Sequence, residues 1–428
     1  MRILDARTDR REVYALADRR LEADPAIEQR VREILGQVRS EGDEAVTTLT
    51  RQYDCRFIDS LGLRVSDRDI ERSYSAVGRK FLTALRVART NIERFHRMQL
   101  PKSRQVRRAG VRLALRYRPL SRVGIYVPGG KAAYPSTVLM NAIPAAIAGV
   151  PEIAMTTPCG ADGRLSAEVL VAACESGVHE IYRIGGAQAI GALAYGTESI
   201  RRVDKITGPG NAYVAAAKRL VFGIVGIDMI AGPTEVVVIA DASADPEYVA
   251  ADLLAQAEHD ELASPLCIAT SRQLAEKIVG AVSEQLESTP RSSIARIACD
   301  RQGVVVVSSR KKETVDIVNA LAPEHVELMV RHPRSMAEQI ANAGAIFVGP
   351  YSTEALGDYV AGPNHTLPTS GSARFSSPLG VMDYMKASSI IEAGRFGFDR
   401  LAPHVQVLAE AEGLSAHAYS VEVRRRTR

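Results

Sequence analysis

Apolar residues recur at helical spacing through about the first hundred residues, with charged residues on the intervening faces. The segments AIEQRVREILGQVRSEGDEAVTTL and RKFLTALRVARTNIERFHRM show this period most clearly. The pattern predicts a helical N-terminal arm over residues 1–105.

From about Val106 the pattern changes to short β-branched runs that end at glycine and alternate with helical segments. The strand-like runs are RVGIYVPGG, EIAMTTPCG, EIYRIGG and VDKITGPG, and helical segments such as PSTVLMNAIPAAIAG separate them. Such alternation is typical of βαβ units with a parallel sheet. We therefore predict a first α/β domain over residues 106–235.

A second run of the same kind follows, in EVVVIAD, LCIATS, GVVVVSS and AIFVG, and predicts a second α/β domain over 236–375. Residues 376–428 form a C-terminal extension that ends in the helical segment AEGLSAHAYSVEV. The predicted fold class is α/β, with two tandem, incomplete Rossmann-like parallel-sheet domains. Because open α/β sheets bind ligands at the carboxyl ends of their strands, we expect binding residues there.

Composition narrows the function classes. The 428 residues are 46% apolar and 24% charged, and 54 basic against 50 acidic residues leave a net charge of +4. The basic and acidic residues nearly balance, so the charge gives no indication of nucleic acid or membrane as a partner. The basic end VRRRTR is predicted to be a solvated tail. The start lacks an apolar signal region, which predicts a cytoplasmic protein. Five cysteines without a CxxC pair indicate neither a disulfide framework nor a thiolate zinc site.

The stretch LLAQAEHD combines apolar and polar residues on one helical stripe. Val249, Leu253 and Gln256 follow one another at i, i+4 and i+7, so Gln256 faces the core, and His259 lies one turn further along the same side. Two buried polar groups need partners, either a metal ion or a hydrogen-bond network. Gln and His at this spacing leave both alternatives open.

Four of the eight histidines have an acidic or amide neighbour in sequence. The pairs are Gln256 with His259, Glu324 with His325, Asp358 with His365, and Glu412 with His417. A site built from His259, Asp358 and His417 would offer nitrogen and oxygen donors suited to zinc, with Gln256 as a weaker fourth ligand. The alternative is that each histidine is hydrogen-bonded locally.

Glu324 and His325 follow a proline, before the strand-like run HVELMV. A histidine with a pKa near neutrality can act as a general base on an alcohol, and a neighbouring carboxylate can orient or activate water. The alternative is a solvent-exposed PEH turn.

Three glycine turns, in YVPGG, RIGGAQAIGAL and TGPGNAYVAAAK, each lead into a helix. Backbone N–H groups at such turns can bind phosphate, although a GxGxxG fingerprint is absent from the first α/β unit and glycine turns are routine in α/β proteins.

Taken together, these segments resemble the L-histidinol dehydrogenase family. The stretches RVGIYVPGG, PSTVLMNAIPAAIAGV, GGAQAIGALAYGTESI, VDKITGPGN, IDMIAGPTEVVVIAD, LLAQAEHD, APEHVE, GDYVAGPNHTLPT and AEGLSAH follow the family's order across about residues 20–420. The resemblance implies an aldehyde-dehydrogenase-like pair of domains, with the first on the NAD side and the second carrying metal and catalytic loops. It also implies oxidation of L-histidinol through histidinal to L-histidine, with two NAD consumed.

The resemblance further implies one zinc ion per subunit and a homodimer whose C-terminal segment reaches the partner's site. By this resemblance His325 is the general base and Glu324 activates water. The implied metal ligands are Gln256, His259, Asp358 and His417. The implied substrate contacts are Thr234, Gln256, His259, His325, Asp358, His365, Glu412 and His417, and the implied NAD contacts are Tyr126, Gln188 and Asn211.

Three positions depart from the family's pattern: Thr234 stands where serine is common, ELASPLC follows AEHD in place of a different polar loop, and Ala387 stands where a basic residue is frequent. Four other functions stay open at this stage. They are a related zinc and NAD dehydrogenase for another polyol or amino alcohol, a zinc hydrolase, an aldehyde dehydrogenase with Cys159 or Cys267 as nucleophile, and a non-catalytic binding module.

Overall fold

The computed structural model of the chain describes residues 1–18, 24–129, 133–160 and 162–426. Gly130 of the YVPGG turn and the last two residues of the VRRRTR tail lie outside these ranges. The chain divides into two compact units. Unit 1 comprises residues 1–99 and 121–384, and unit 2 comprises residues 100–120 and 385–428.

Fourteen strands are present in the described residues. They are β1 (Arg2–Asp5), β2 (Arg104–Arg108), β3 (Val111–Pro119), β4 (Arg122–Tyr126), β5 (Glu152–Thr157), β6 (Glu180–Arg183), β7 (Lys205–Thr207), β8 (Gly226–Ile227), β9 (Glu235–Ala240), β10 (Ser264–Ala269), β11 (Val304–Val307), β12 (His325–Met329), β13 (Ala345–Val348) and β14 (Met385–Ala393).

Eighteen α-helices accompany these strands within the same described ranges. They are α1 (Arg10–Ala15), α2 (Pro25–Glu41), α3 (Asp43–Tyr53), α4 (Ile58–Leu61), α5 (Asp67–Ala76), α6 (Arg79–Arg97), α7 (Pro135–Ala148), α8 (Ala167–Glu175), α9 (Gly186–Tyr195), α10 (Ala212–Val221), α11 (Pro246–Ala257), α12 (Arg272–Leu286), α13 (Ser292–Arg301), α14 (Lys311–Leu321), α15 (Pro333–Ala337), α16 (Glu354–Tyr359), α17 (Arg395–Ala411) and α18 (Ser415–Arg426).

Several helices begin where a short polar side chain caps the first turn. Asp24, Ser66, Ser166, Asn211 and Asp245 each accept a hydrogen bond from a backbone N–H that the helix itself leaves unpaired. The local sequence therefore sets these helix starts.

The larger sheet of unit 1 has six parallel strands in the order β1-β11-β10-β9-β12-β13. Every residue of β9, β10, β11 and β12 is buried, as expected for β-branched strands that helices cover on both faces. Strand β1 pairs with β11, although the helical period of the first hundred residues gave no indication of a strand there. Four residues are too few to display a period of two.

The second sheet of unit 1 has five parallel strands in the order β6-β5-β4-β7-β8. Helices α7, α8 and α9 bury apolar residues around most of their circumference, so they lie in the interior of the unit. The two parallel sheets confirm the predicted fold class. The proposed boundaries at residues 105, 235 and 375 stay predictions.

Unit 2 contains a small antiparallel sheet in the order β14-β3-β2 and the packed helices α17 and α18. Close packing requires glycine at one point of this unit. Gly110 has φ +80°, and a Cβ there would come within 2.7 Å of the backbone nitrogen of Gly397. Among the described residues, no helix is long and apolar enough to cross a membrane.

Candidate active site

Glu324 and His325 lie at the beginning of β12, beside the beginning of β9. His325 is in register with Val236, and Thr234 immediately precedes β9. The expectation that binding residues follow the carboxyl ends of strands is therefore wrong for this sheet. Its candidate residues cluster at the amino ends, where the C-terminal end of α11 also arrives.

Glu324 is buried and hydrogen-bonded. Its Oε2 accepts from the Thr234 hydroxyl at 2.6 Å and from the backbone N–H of Glu235 at 3.0 Å. Burial raises the pKa of Glu324 well above its usual value, and these two hydrogen bonds oppose the shift. The alternative of a solvent-exposed PEH turn is wrong, because both Glu324 and His325 are buried.

The imidazole of His325 is only 3% exposed. Its Nδ1 lies 3.2 Å from the backbone oxygen of Glu235, which fixes a tautomer with the proton on Nδ1. Among the described residues Nε2 has no hydrogen-bond partner, and it lies 3.9 Å from Oδ1 of Asp358. Burial lowers the pKa of His325 to about 4, so the ring is neutral near pH 7 and Nε2 carries a free lone pair.

Helix α11 begins with Asp245 as its cap and Pro246 in the first turn. Gln256 is fully buried, as its place on the apolar stripe indicates. The helix ends at Ala257, so His259 lies in the turn beyond it. There its side chain is exposed, and its backbone N–H donates to the Gln256 carbonyl at 3.3 Å.

His259 belongs to a cluster with two carboxylates of α16. One ligand atom from each of His259, Glu354 and Asp358 lies within 4.8 Å of the others, close enough to share one cation. Sequence reasoning missed Glu354. The i, i+4 spacing of Glu354 and Asp358 in EALGDY was the available signal, since it places both carboxylates on one helix face.

The amide of Gln256 lies between the Thr234 hydroxyl and the Glu354 carboxylate. In one orientation its nitrogen donates to Glu354 and its oxygen accepts from Thr234 and from the Glu235 N–H. In the other, its oxygen faces the carboxylate, and two acceptors in contact need a proton or a cation between them. The imidazole and carboxylates of this cluster fit zinc, with the amide oxygen as a weaker ligand, so these residues suit either a metal ion or a hydrogen-bond network.

Glu354 is 3% exposed, and burial followed by the charge of Asp358 raises its pKa well above its usual value. His365 adjoins the cluster, because its Nδ1 lies 2.9 Å from the backbone oxygen of Asp358. Its Nε2 lies 3.3 Å from the Thr137 hydroxyl, and burial lowers its pKa.

Glu412 and His417 lie in unit 2. Glu412 is the residue that follows α17, His417 is in the first turn of α18, and both side chains are exposed. The cation cluster found among the described residues does not include His417.

Tyr126 and Gln188 meet at the glycine turn before α9, at the carboxyl ends of β4 and β6. The Tyr126 hydroxyl accepts from the Gly186 N–H at 3.1 Å, and burial raises the pKa of Tyr126 to about 12. The carboxylate of Asp54 accepts from the Gly185 N–H at 3.0 Å and from the Gln188 amide at 3.2 Å. These candidate residues therefore lie at the carboxyl ends of the strands of this sheet, where binding residues are expected.

Asn211 begins α10 after the turn that follows β7, and its Oδ1 accepts from the N–H groups of Tyr213 and Val214 at 3.1 Å. This turn touches Tyr126. Gly208 has φ +112°, and a Cβ there would collide with the backbone oxygen of Tyr126, so only glycine fits. The turn that leads to Asn211 therefore lies beside Tyr126.

The cysteines do not resemble nucleophiles. Burial raises the pKa of Cys159 to about 12, and full burial also raises that of Cys267, which lies within β10. A thiolate is needed for attack on an aldehyde, so the structure argues against an aldehyde dehydrogenase that uses either residue.

Unit 1 has two parallel sheets. One carries a buried histidine and carboxylates at its strand ends, and the other has glycine turns at its strand ends. This arrangement defines an α/β enzyme. A family profile described as histidinol dehydrogenase matches residues 17–425. The chain belongs to the histidinol dehydrogenase family, and it is an oxidoreductase of histidine biosynthesis.

Relatives of known name cover nearly the whole chain. The histidinol dehydrogenase of Moorella thermoacetica is 51% identical over 418 residues, 97% of this chain and 98% of that protein. That of Geobacter sulfurreducens is 49% identical, covering 99% of this chain and 100% of that protein. The crystal structure of histidinol dehydrogenase from Elizabethkingia anophelis has a TM-score of 0.94 and 36% identity, and the match covers 100% of this chain and 98% of that chain.

Proposed function

We propose that the protein catalyses the zinc-dependent, NAD-linked oxidation of L-histidinol through histidinal to L-histidine. The observation that carries this proposal is the neutral His325 ring, whose Nε2 has no hydrogen-bond partner among the described residues and lies 3.9 Å from Oδ1 of Asp358 on α16. A buried neutral imidazole with one nitrogen anchored and the other free suits a general base for an alcohol.

His325 acts first, by taking the hydroxyl proton on Nε2 while hydride leaves the carbinol carbon. Bound NAD would supply the hydride acceptor for each of the two oxidations. The anchored Nδ1 holds the ring in place during the transfer, and Asp358 at 3.9 Å stabilises the imidazolium that forms. The product of this step is histidinal.

Glu324 acts in the second half, where water adds to the aldehyde to form a hydrate. A carboxylate whose pKa burial has raised is a stronger base towards water than an ordinary carboxylate. Loss of a second hydride from the hydrate to a second NAD, with removal of one hydroxyl proton, leaves the carboxylic acid of histidine, which then loses its remaining proton to solvent as the carboxylate. Thr234 holds Glu324 through the 2.6 Å hydrogen bond.

Gln256, His259 and Asp358 would hold the metal, with His417 from a second copy of the chain completing the set. Bound zinc would orient the amine and imidazole of the substrate. Glu354 adds a carboxylate beside these ligands. His365 and Glu412 would contact substrate, and Tyr126, Gln188 and Asn211 would contact NAD. A cytoplasmic location, with neither nucleic acid nor membrane as partner, stays a prediction.

A homodimer is part of the proposal. Unit 2 exposes large apolar side chains along α17, including Phe396 at 64%, Val407 at 66% and Leu408 at 64%. Such a surface on a short helical extension favours burial against another protein surface. A second copy is the proposed occupant, because His417 lies on the adjacent α18 and supplies the remaining donor.

Purified protein is expected to form two NADH for each L-histidinol consumed, because one site carries out both oxidations. Absorbance at saturating NAD, with histidine measured by chromatography, provides the count. L-Alaninol, an amino alcohol without imidazole, is the matched control and should react far more slowly. One NADH per substrate would contradict the role of Glu324, and equal rates on both alcohols would contradict the substrate assignment.

Coexpression of two inactive variants, His325→Asn and His417→Asn, is expected to restore activity. In a mixed dimer one of the two sites receives His325 from one chain and His417 from the other, so that site is intact. Activity of the separately tagged and doubly purified mixed dimer is the measurement. Mixed dimers of His325→Asn with Glu324→Gln provide the control, with histidine as the measured product, since each chain then disables the site that contains its own β12 residues. Restoration in the control, or none in the test pair, would contradict sharing of the site.

A further inference from the structure

A lysine and an aspartate are buried together beside the turn that leads to Asn211. The side chain of Lys218 on α10 is 3% exposed, and that of Asp228, the residue after β8, is 1% exposed. The Lys218 ammonium group forms an ion pair with Oδ1 of Asp228. Neither residue has a part in the chemistry proposed above, so this buried pair of charges calls for another role.

Both charged groups also bind the backbone of Gly208, the first residue after β7. Oδ2 of Asp228 accepts from the Gly208 N–H at 2.8 Å, and the Lys218 ammonium group donates to the Gly208 carbonyl at 2.9 Å. Together with the ion pair, these two hydrogen bonds close a ring around one residue of the turn. Buried charges therefore fix both the donor and the acceptor of Gly208.

Helix geometry explains how Lys218 reaches this turn. Lys218 lies four residues after Val214, so both are on the same buried face of α10. Long side chains on a helix lean towards its N-terminus, and the turn immediately precedes the N-terminus of α10. The ammonium group can therefore bind the carbonyl of Gly208, ten positions earlier in the sequence.

We infer that the Lys218–Asp228 pair positions the Gly208 turn for cofactor binding, an inference that rests on the proposed function. Gly208 has φ +112° and lies against the backbone of Tyr126, and Asn211 follows at the end of the same turn. Glycine has more backbone freedom than any other residue, so fixed partners are needed to keep this turn in one shape. A buried ion pair adds little stability over apolar packing, which favours a role in geometry.

Two variants separate the shape of the turn from the cost of an unpaired buried charge. Lys218→Met removes the donor to the Gly208 carbonyl and leaves Asp228 without its counter-ion, which destabilises the fold. In the double variant Lys218→Met/Asp228→Asn both charges are gone, and the asparagine oxygen still accepts from the Gly208 N–H. The double variant is therefore expected to fold while it lacks the bond to the Gly208 carbonyl.

The test measures the KM for NAD, the KM for L-histidinol, and hydrogen exchange of residues 208–214 in the cofactor-free full chain. The double variant is expected to raise the KM for NAD by about tenfold, roughly the effect of one lost hydrogen bond. Exchange of residues 208–214 should become faster by about the same factor. The KM for L-histidinol should stay close to that of the wild type, because the residues that would bind this substrate are untouched.

Arg122→Met is the matched control for the loss of a buried cation from the same sheet. Arg122 is buried at the beginning of β4, where it forms ion pairs with Glu152 and Glu180 at the amino ends of the neighbouring strands. The Gly208 turn lies at the opposite end of this sheet, after β7. Arg122→Met should therefore leave both the KM for NAD and the exchange of residues 208–214 unchanged.

The exchange measurement does not depend on the proposed function, whereas the KM measurement does. A wild type that neither binds nor reduces NAD would contradict the proposed function, and faster exchange in the double variant would still show that the pair fixes the turn. Unchanged exchange in the double variant would overturn the inference. An unchanged KM for NAD, or an equal rise in Arg122→Met, would also overturn it, since the pair would then have no specific effect on cofactor binding.

Discussion

Replacing His325 by asparagine is expected to lower kcat by about 10²- to 10⁴-fold, the usual contribution of a general base. The asparagine amide nitrogen occupies the place of Nδ1 and can still donate to the Glu235 carbonyl, which His325 approaches at 3.2 Å. The free Nε2 is lost. The KM for L-histidinol should change little, because the ligands on α11 and α16 are untouched.

Initial rates over a range of L-histidinol concentrations provide this separation of kcat from KM. His332→Asn is the matched control, since His332 is exposed in the described structure and precedes α15. A His325→Asn variant with kcat within tenfold of the wild type would remove His325 from the role of base. A large rise in KM with little change in kcat would assign it to binding instead.

Replacing Asp358 by asparagine is expected to weaken zinc binding by at least about 100-fold. This is a larger loss of affinity than is usual when the replaced residue only hydrogen-bonds to a metal ligand. Activity should disappear in chelator-treated wild type and return on addition of zinc. Asp358 joins His259 and Glu354 within 4.8 Å, and one negative charge fewer weakens the attraction for a divalent cation. Zinc at 1,000 times its Kd should stabilise the wild type by about 4 kcal/mol and raise its Tm.

Zinc content after dialysis and the rise in Tm on zinc addition are the measurements for this variant. Glu261→Gln is the control, because it removes a charge from an exposed side chain just beyond the turn that holds His259. Chelated wild type that oxidises L-histidinol at full rate would contradict the metal requirement. An Asp358→Asn variant that retains both zinc and its thermal effect would exclude Asp358 as a ligand.

Local sequence pattern was sufficient to find most of the elements. The stripe of Val249, Leu253 and Gln256 predicted a buried glutamine, and all three residues are fully buried. Strand β1 and the antiparallel pairs of unit 2 escaped prediction. A four-residue strand shows no period, and the residues of β3 that pair with β14 are more than two hundred and fifty positions away from it in sequence.

The candidate site was only partly visible in the sequence. The residue types and their neighbours indicated His259, His325, His365 and His417 as candidates, whereas Glu354, which has no histidine beside it in sequence, was missed. The expected position at the carboxyl ends of strands also failed at β12. That rule describes ligands above open sheets, and here the end of α11 brings Gln256 to the opposite edge.

The sequence by itself determined the alternation of helices and strands, the helix caps and the family, because period, capping and motif order are local properties of the chain. Only the tertiary structure decided that the beginning of β12, the end of α11 and the first turn of α16 meet. The bonds that join them connect distant residues, such as Thr234 to Glu324 across 90 positions. Burial at that meeting point then sets the protonation of Glu324 and His325, since desolvation depends on neighbours that the local sequence does not specify.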